Sequence, residues 1–343
     1  MLKFFLSGLL LFTASLPLAA NTPIGYKETH IPNNARETSM PVSLWYPTGE
    51  RKQMEIVGAS PIFYGQHAIV EAEPLSGVHP LVLLSHRARG NRHDLNWLAS
   101  KLARHGYIVA APEHFTTDLS SANSKLPNLW SRPRDLSLVI DALSTEPSLA
   151  GNVAPNQIAA IGHSLGGWTV TALAGARFST ARFARNCMVY KNPKTCEFAD
   201  RLVNSPELTR AIEKDLSDSR VGVVVTLDIG MARGFTPQSL ASIQAPFLLL
   251  KSGIDIDAVP IQLESGYLIT HLPQLSSRHI EVDDANHYSF LRLCQPGATK
   301  LLQKSSPSQL YDCFETANPD RDSLHQHVEY LITDFLSQSL LSE

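Results

Sequence analysis

Residues 158–168 read Ile158-Ala159-Ala160-Ile161-Gly162-His163-Ser164-Leu165-Gly166-Gly167-Trp168. The apolar start suits a strand buried on both faces, and the apolar positions Trp168, Val170 and Leu173 suit the helix that follows. A strand that turns directly into a helix leaves no room for side chains two positions before and two after its apex. Gly162 and Gly166 meet that demand. The apex is Ser164. The turn holds its hydroxyl out at the carboxyl edge of a sheet and sets the Leu165 N–H at a helix N-terminus, where an oxyanion would form. Ser164 is therefore a candidate nucleophile, and Leu165 a candidate oxyanion donor.

Outward from this stretch, short apolar runs alternate with amphipathic ones, which is the pattern of a mainly parallel sheet covered by helices on both faces. The runs at 81–85 (LVLLS) and 107–111 (YIVAA) suit buried strands, and Leu95, Leu98 and Leu102 between them recur at helical spacing. A helix with Leu136, Val139, Ile140 and Leu143 on one face is expected at 134–143. Further strands are expected at 221–227, 247–250 and 279–282, and the alternation at 42–46 suggests an edge strand. A last helix should begin near Asp320 and carry Leu324, Val328, Leu331, Ile332 and Phe335 on one stripe.

A serine hydroxyl is a weak nucleophile at neutral pH and needs a base, itself oriented by a third group. In an α/β sheet with this turn the chain order is serine, acid, histidine. Of the 13 histidines, His287 lies after the last expected strand, in a polar loop before the final helix, and is the expected general base. His325 and His327 fall inside that helix and are expected to face solvent. Three aspartates end strands at suitable places for the acid: Asp228 after 221–227, and Asp255 and Asp257 after 247–250.

Several segments together resemble the exported branch of the dienelactone hydrolase and platelet-activating-factor acetylhydrolase-like families of α/β-hydrolases. They are residues 79–86, 97–99 and 105–114, then Trp130 with Arg132, Pro133 and Asp135, the serine turn, Leu227-Asp228, and 286–291. The resemblance spans most of the chain and implies the α/β-hydrolase fold. In acetylhydrolases of this type the acid follows the strand after the nucleophile helix, which maps onto Asp228. In dienelactone hydrolases it lies one strand later, which maps onto Asp255 or Asp257. Asp228 is favoured, with the other two as alternatives. Dienelactone hydrolases carry a cysteine nucleophile where this chain has Ser164, which argues against the dienelactone substrate.

The family's second oxyanion donor follows a Ser-His-Gly sequence, which carries over to the N–H of Ala88 in Ser85-His86-Arg87-Ala88. Arg87 replaces the glycine, so a positive φ there would be strained. With Arg89 and Arg92 it forms either a solvated loop or a cationic rim favouring an acidic or phosphate-bearing substrate.

The connection at 175–220 is longer than a sheet crossover needs and is expected to form a lid. Cys187 with Cys196 and Cys294 with Cys313 lie near each other in sequence. Two disulfides are expected, because residues 1–20, with Lys3, an apolar core and Leu18-Ala19-Ala20, read as an export signal. A periplasmic or secreted protein is thus expected, with 21–343 as one α/β-hydrolase domain and no stable membrane anchor. The net charge of −3, with scattered Lys and Arg, gives no footing for nucleic acid.

The expected chemistry is hydrolysis of a small-molecule carboxylic ester through an acyl-enzyme on Ser164, with no cofactor and no metal. An amidase or peptidase could use the same triad, and a non-catalytic binding protein could keep the fold.

Overall fold

The computed structural model describes residues 23–33, 37–114, 129–190, 193–196, 199–256, 260–314 and 321–340. The expected export signal and Asp257 lie outside them. Among the described residues ten strands form one sheet: β1 (Ile24–Asn33), β2 (Thr38–Pro47), β3 (Glu55–Val57), β4 (Gln66–Val70), β5 (Val78–Ser85), β6 (Ile108–Pro112), β7 (Asn152–His163), β8 (Val223–Leu227), β9 (Phe247–Ser252) and β10 (Ser277–Val282). Their order is β10-β9-β8-β7-β5-β6-β2-β1-β4-β3. From β10 to β6 every pairing is parallel.

Alternate residues of the parallel strands enter two cores, because successive side chains of a strand point to opposite faces. Leu81 and Leu83 of β5 and Ile158 and Ala160 of β7 join one core. Val82, Leu84, Ala159 and Ile161 join the other. Helices α1 (Asn96–Arg104), α2 (Ser131–Thr145) and α3 (Leu165–Leu173) follow β5, β6 and β7. The first core is closed by α2 and α3, through Leu136, Val139, Ile140, Leu143, Trp168 and Leu173. The second is closed by α1 and the terminal helix Arg321–Leu340, through Leu98, Leu102, Val328, Ile332 and Phe335. Val328 and Ile332 are fully buried, a gain of about 1.5–3 kcal/mol for each such side chain.

Two sequence expectations need correction. The strand at 42–46 is not an edge: β2 lies between β1 and β6, antiparallel to both. The N-terminal strands that cover it have mixed burial patterns, which hid them in the sequence. His325 does not face solvent. It is 1% exposed, stacks on Trp97 with ring centroids 3.7 Å apart, and bonds Ser289 O at 3.1 Å. His327 is exposed, as expected.

The described residues of the 175–220 stretch carry the helices α4 (Thr180–Val189), α5 (Pro193–Cys196), α6 (Ala199–Val203) and α7 (Pro206–Ile212). The disulfide Cys187–Cys196 ties α4 to α5, and Cys294–Cys313 closes the second expected pair. No helix among the described residues is long and apolar enough to cross a membrane.

Candidate active site

Ser164 sits between the end of β7 and the start of α3 with φ 55° and ψ −116°, a backbone state that costs an L-residue of order 1–3 kcal/mol and persists only when its surroundings enforce it. The enforcement is visible at the two glycines. A Cβ on Gly162 would stand 2.0 Å from the Gly166 carbonyl oxygen, and one on Gly166 would stand 1.9 Å from that of Ser85. Both obstacles are backbone, which a side-chain rotation cannot relieve. The Ser164 N–H donates to Leu227 O at 3.0 Å, tying the turn to β8.

His287 Nε2 lies 3.0 Å from Ser164 Oγ, and His287 Nδ1 donates to Asp228 Oδ2 at 2.6 Å. The two bonds use opposite ring nitrogens. A proton on Nδ1 leaves the Nε2 lone pair directed at the serine hydroxyl, as a general base requires. Asp228 is 2% exposed. Its Oδ1 accepts from Ser252 N–H at 3.1 Å and from Ser252 Oγ at 3.0 Å, so both oxygens are engaged.

Of the three aspartates considered, the structure therefore brings Asp228 to His287. Asp255 turns to Ile261 N–H instead, at 3.3 Å. Beyond Asp228, a Cβ on Gly230 would lie 3.6 Å from Ser164 Oγ, so this segment passes directly alongside the serine.

Residues that sequence reasoning did not assign hold the histidine. His163 Nε2 donates to His287 O at 2.8 Å, and burial, followed by the neighbouring His287 and Arg87, keeps the His163 pKa well below the usual histidine value. Asn286 Oδ1 accepts from the N–H groups of Tyr288 at 2.8 Å and Ser289 at 3.1 Å, an Asx turn. An asparagine followed by a serine three residues on was the available signal for this turn. Ser252, by contrast, left no local signal for its contact with Asp228.

Leu165 is the first residue of α3, so its N–H is among those a helix leaves without an internal acceptor. In the loop after β5 the left-handed residue is Arg89, at φ 56°, and not Arg87. The strain expected from replacing glycine at 87 is absent, because the loop does not need a positive φ there.

Nor is Arg87 a solvated side chain or a rim cation. Its side chain is 11% exposed, with Nε 3.4 Å from Asp94 and Nη2 bonded to Asp312. Arg92 is similarly neutralised, at 3.1 Å from Glu28 and 3.4 Å from Glu113. Arg89 is exposed.

Trp168 is fully buried beneath the helical stretch, stacked on Phe235 and edge-on to Phe178, and so does not reach a pocket surface. The end of α4 meets the segment after Asp228, where the Arg233 guanidinium lies 5.8 Å from the Tyr190 ring. Arg233 also lies 3.5 Å from Glu264, whose pKa burial pushes up to about 7. Among the described residues no three His, Cys, Asp or Glu side chains gather as a metal ion would need.

No protein-family model matches the chain, and no curated protein matches it. Among solved structures it is similar to a ferulic acid esterase from Streptomyces cinnamoneus, at 20% identity and a TM-score of 0.63, over 96% of this chain and 93% of that one. The chain has the α/β-hydrolase fold. At this identity the likeness carries the architecture, and the chemistry must be argued from the side chains.

Proposed function

We propose that this α/β-hydrolase is a serine-dependent carboxylic ester hydrolase. The observation that supports the reading most is the continuous chain from Ser164 to His287 at 3.0 Å and on to Asp228 at 2.6 Å, mounted on a strained turn. In this reading His287 removes the Ser164 proton as Oγ attacks the ester carbonyl. The Leu165 and Ala88 N–H groups stabilise the oxyanion, and the protonated His287 then delivers its proton to the leaving alcohol. A water activated by His287 afterwards attacks the acyl-enzyme and frees the acid. Asp228 holds the imidazole in the productive tautomer and stabilises its charged form.

Short-chain or aromatic carboxylic esters are the proposed substrates, and the fold likeness to a ferulic acid esterase supports the aromatic members. The helices at 175–220 are read as a lid over the acyl or leaving-group side. Two closed disulfides favour an oxidising, exported setting.

The test is hydrolysis of p-nitrophenyl esters from acetate to long acyl chains, together with a feruloyl ester, by wild type and Ser164→Ala. Labelling by a fluorophosphonate accompanies it. Turnover and labelling that both vanish in Ser164→Ala are expected. Labelling without turnover of any ester would move the reading to amides, and neither would remove the hydrolase.

A further inference from the structure

The loop that follows β5 is held by a buried polar network that the reaction itself does not use. Arg132 donates through Nη2 to His86 O and to Ser85 Oγ, the latter at 3.3 Å, and through Nε to Thr169 Oγ1 on α3 at 3.0 Å. Ser85 Oγ lies 3.0 Å from His114 Nε2, and His114 Nδ1 lies 3.0 Å from Asp135. All five side chains of this network are buried.

His86, 3% exposed, is bonded at both ring nitrogens. Nε2 accepts the His114 N–H at 3.2 Å, so it carries no proton. Nδ1 faces Arg87 O at 2.8 Å, and since a carbonyl oxygen only accepts, Nδ1 is the donor. Burial, followed by the charge of Arg132, pushes the His86 pKa well below the ordinary histidine value, which keeps this neutral tautomer.

Arg87 C=O and Ala88 N–H belong to one peptide unit. In a planar trans peptide the two bonds point in opposite directions, so whatever fixes one fixes the other. We infer that His86 is a positioning residue for the oxyanion hole: by donating from Nδ1 to Arg87 O it sets the direction of the Ala88 N–H. Arg132, gripping the preceding carbonyl, and the ion pairs of Arg87 with Asp94 and Asp312 hold the peptide from its other sides. This inference rests on the ester-hydrolase reading and adds a residue outside the triad to it.

The test exploits the fact that an Asn Nδ2 stands near where an imidazole Nδ1 does, whereas a Gln side chain reaches the Nε2 position and offers nothing at Nδ1. His86→Asn keeps the donor to Arg87 O. His86→Gln keeps the acceptor for His114 N–H, and His86→Ala keeps neither. Each variant is assayed for kcat, KM and affinity for phenylboronic acid, whose tetrahedral adduct on a serine presents an oxygen to the oxyanion hole.

Loss of one oxyanion donor costs roughly 10²–10³ in kcat. His86→Ala and His86→Gln are expected to lose about 10²-fold in kcat and in boronate affinity with KM little changed, and His86→Asn to recover most of both. Equal activity of Gln, Asn and wild type would overturn the inference while leaving the hydrolase reading intact. So would Gln outperforming Asn, the result expected if His86 only props up His114. A wild type with neither turnover nor boronate affinity, matching Ser164→Ala, would remove the hydrolase reading and the inference with it.

Discussion

Asp228→Asn isolates what the acid does for the histidine. Asp228 Oδ1 accepts two bonds from Ser252, one from a backbone N–H that can only donate. An asparagine must therefore keep its oxygen toward Ser252. The reverse orientation would set donor against donor in a buried site, at a cost of about 1–3 kcal/mol. The amide nitrogen then faces His287 Nδ1, where the carboxylate stood 2.6 Å away, and donates to it.

Nδ1 becomes an acceptor and the ring proton moves to Nε2, pointing at Ser164 Oγ, so the imidazole can no longer take the serine proton. A wrong tautomer in an otherwise intact triad costs about 10⁴-fold in kcat, equivalent to about 5 kcal/mol at the barrier. The fold should tolerate the change, since the Ser252 bonds survive. The assay is ester hydrolysis under saturating and sub-saturating substrate, with thermal melting as the control for folding. Asp255→Asn, whose parent carboxylate serves a turn, should stay near wild type. A folded Asp228→Asn protein within tenfold of wild-type kcat would refute the reasoning.

Other consequences follow from the same geometry. Gly166→Ala drives a Cβ to 1.9 Å from Ser85 O, so chemical denaturation should show a loss above the roughly 1–3 kcal/mol of ordinary overpacking, or no folded protein at all. Burial, followed by the charge of Arg321, lowers the His325 pKa from 6.5 to about 3. The unfolded state then binds the extra proton, so this group's stabilisation is full above pH 6.5 and is lost as pH falls toward 3, by about 2 kcal/mol at pH 5. His325→Phe, which retains a ring to stack on Trp97, should flatten the denaturation midpoint between pH 7.5 and 5; an unchanged slope would remove this account. Replacing Cys294 and Cys313 together by Ser opens a link across 19 positions and should destabilise by about 3 kcal/mol. Because Asp312 holds Arg87, kcat should fall in the same variant, and a stability loss with unchanged kcat would disconnect this disulfide-closed segment from the oxyanion loop.

The sequence by itself carried the architecture wherever the determinant was local. Gly162, Ser164 and Gly166 announce a strand-to-helix turn because a side chain at Gly162 would collide with the carbonyl of Gly166 within the same turn; the obstacle at Gly166 itself, Ser85 O, is distant in sequence. Continuous apolar runs announce strands buried on both faces, and His287 follows from chain order. What the sequence left open depended on partners far along the chain. Asp228 and Asp255 end neighbouring parallel strands and look alike locally; that Asp228 meets His287 while Asp255 accepts from Ile261 N–H depends on where the fold places the His287 loop. The roles of Arg87, His86 and His325 were equally illegible. Arg87 meets Asp312 across 225 positions, and His86 is fixed by the backbone of residue 114. Periodicity and turn chemistry are properties of adjacent residues, whereas the neutralisation of a buried charge, the tautomer of a histidine and the direction of one N–H depend on groups that only the folded chain brings within hydrogen-bond distance.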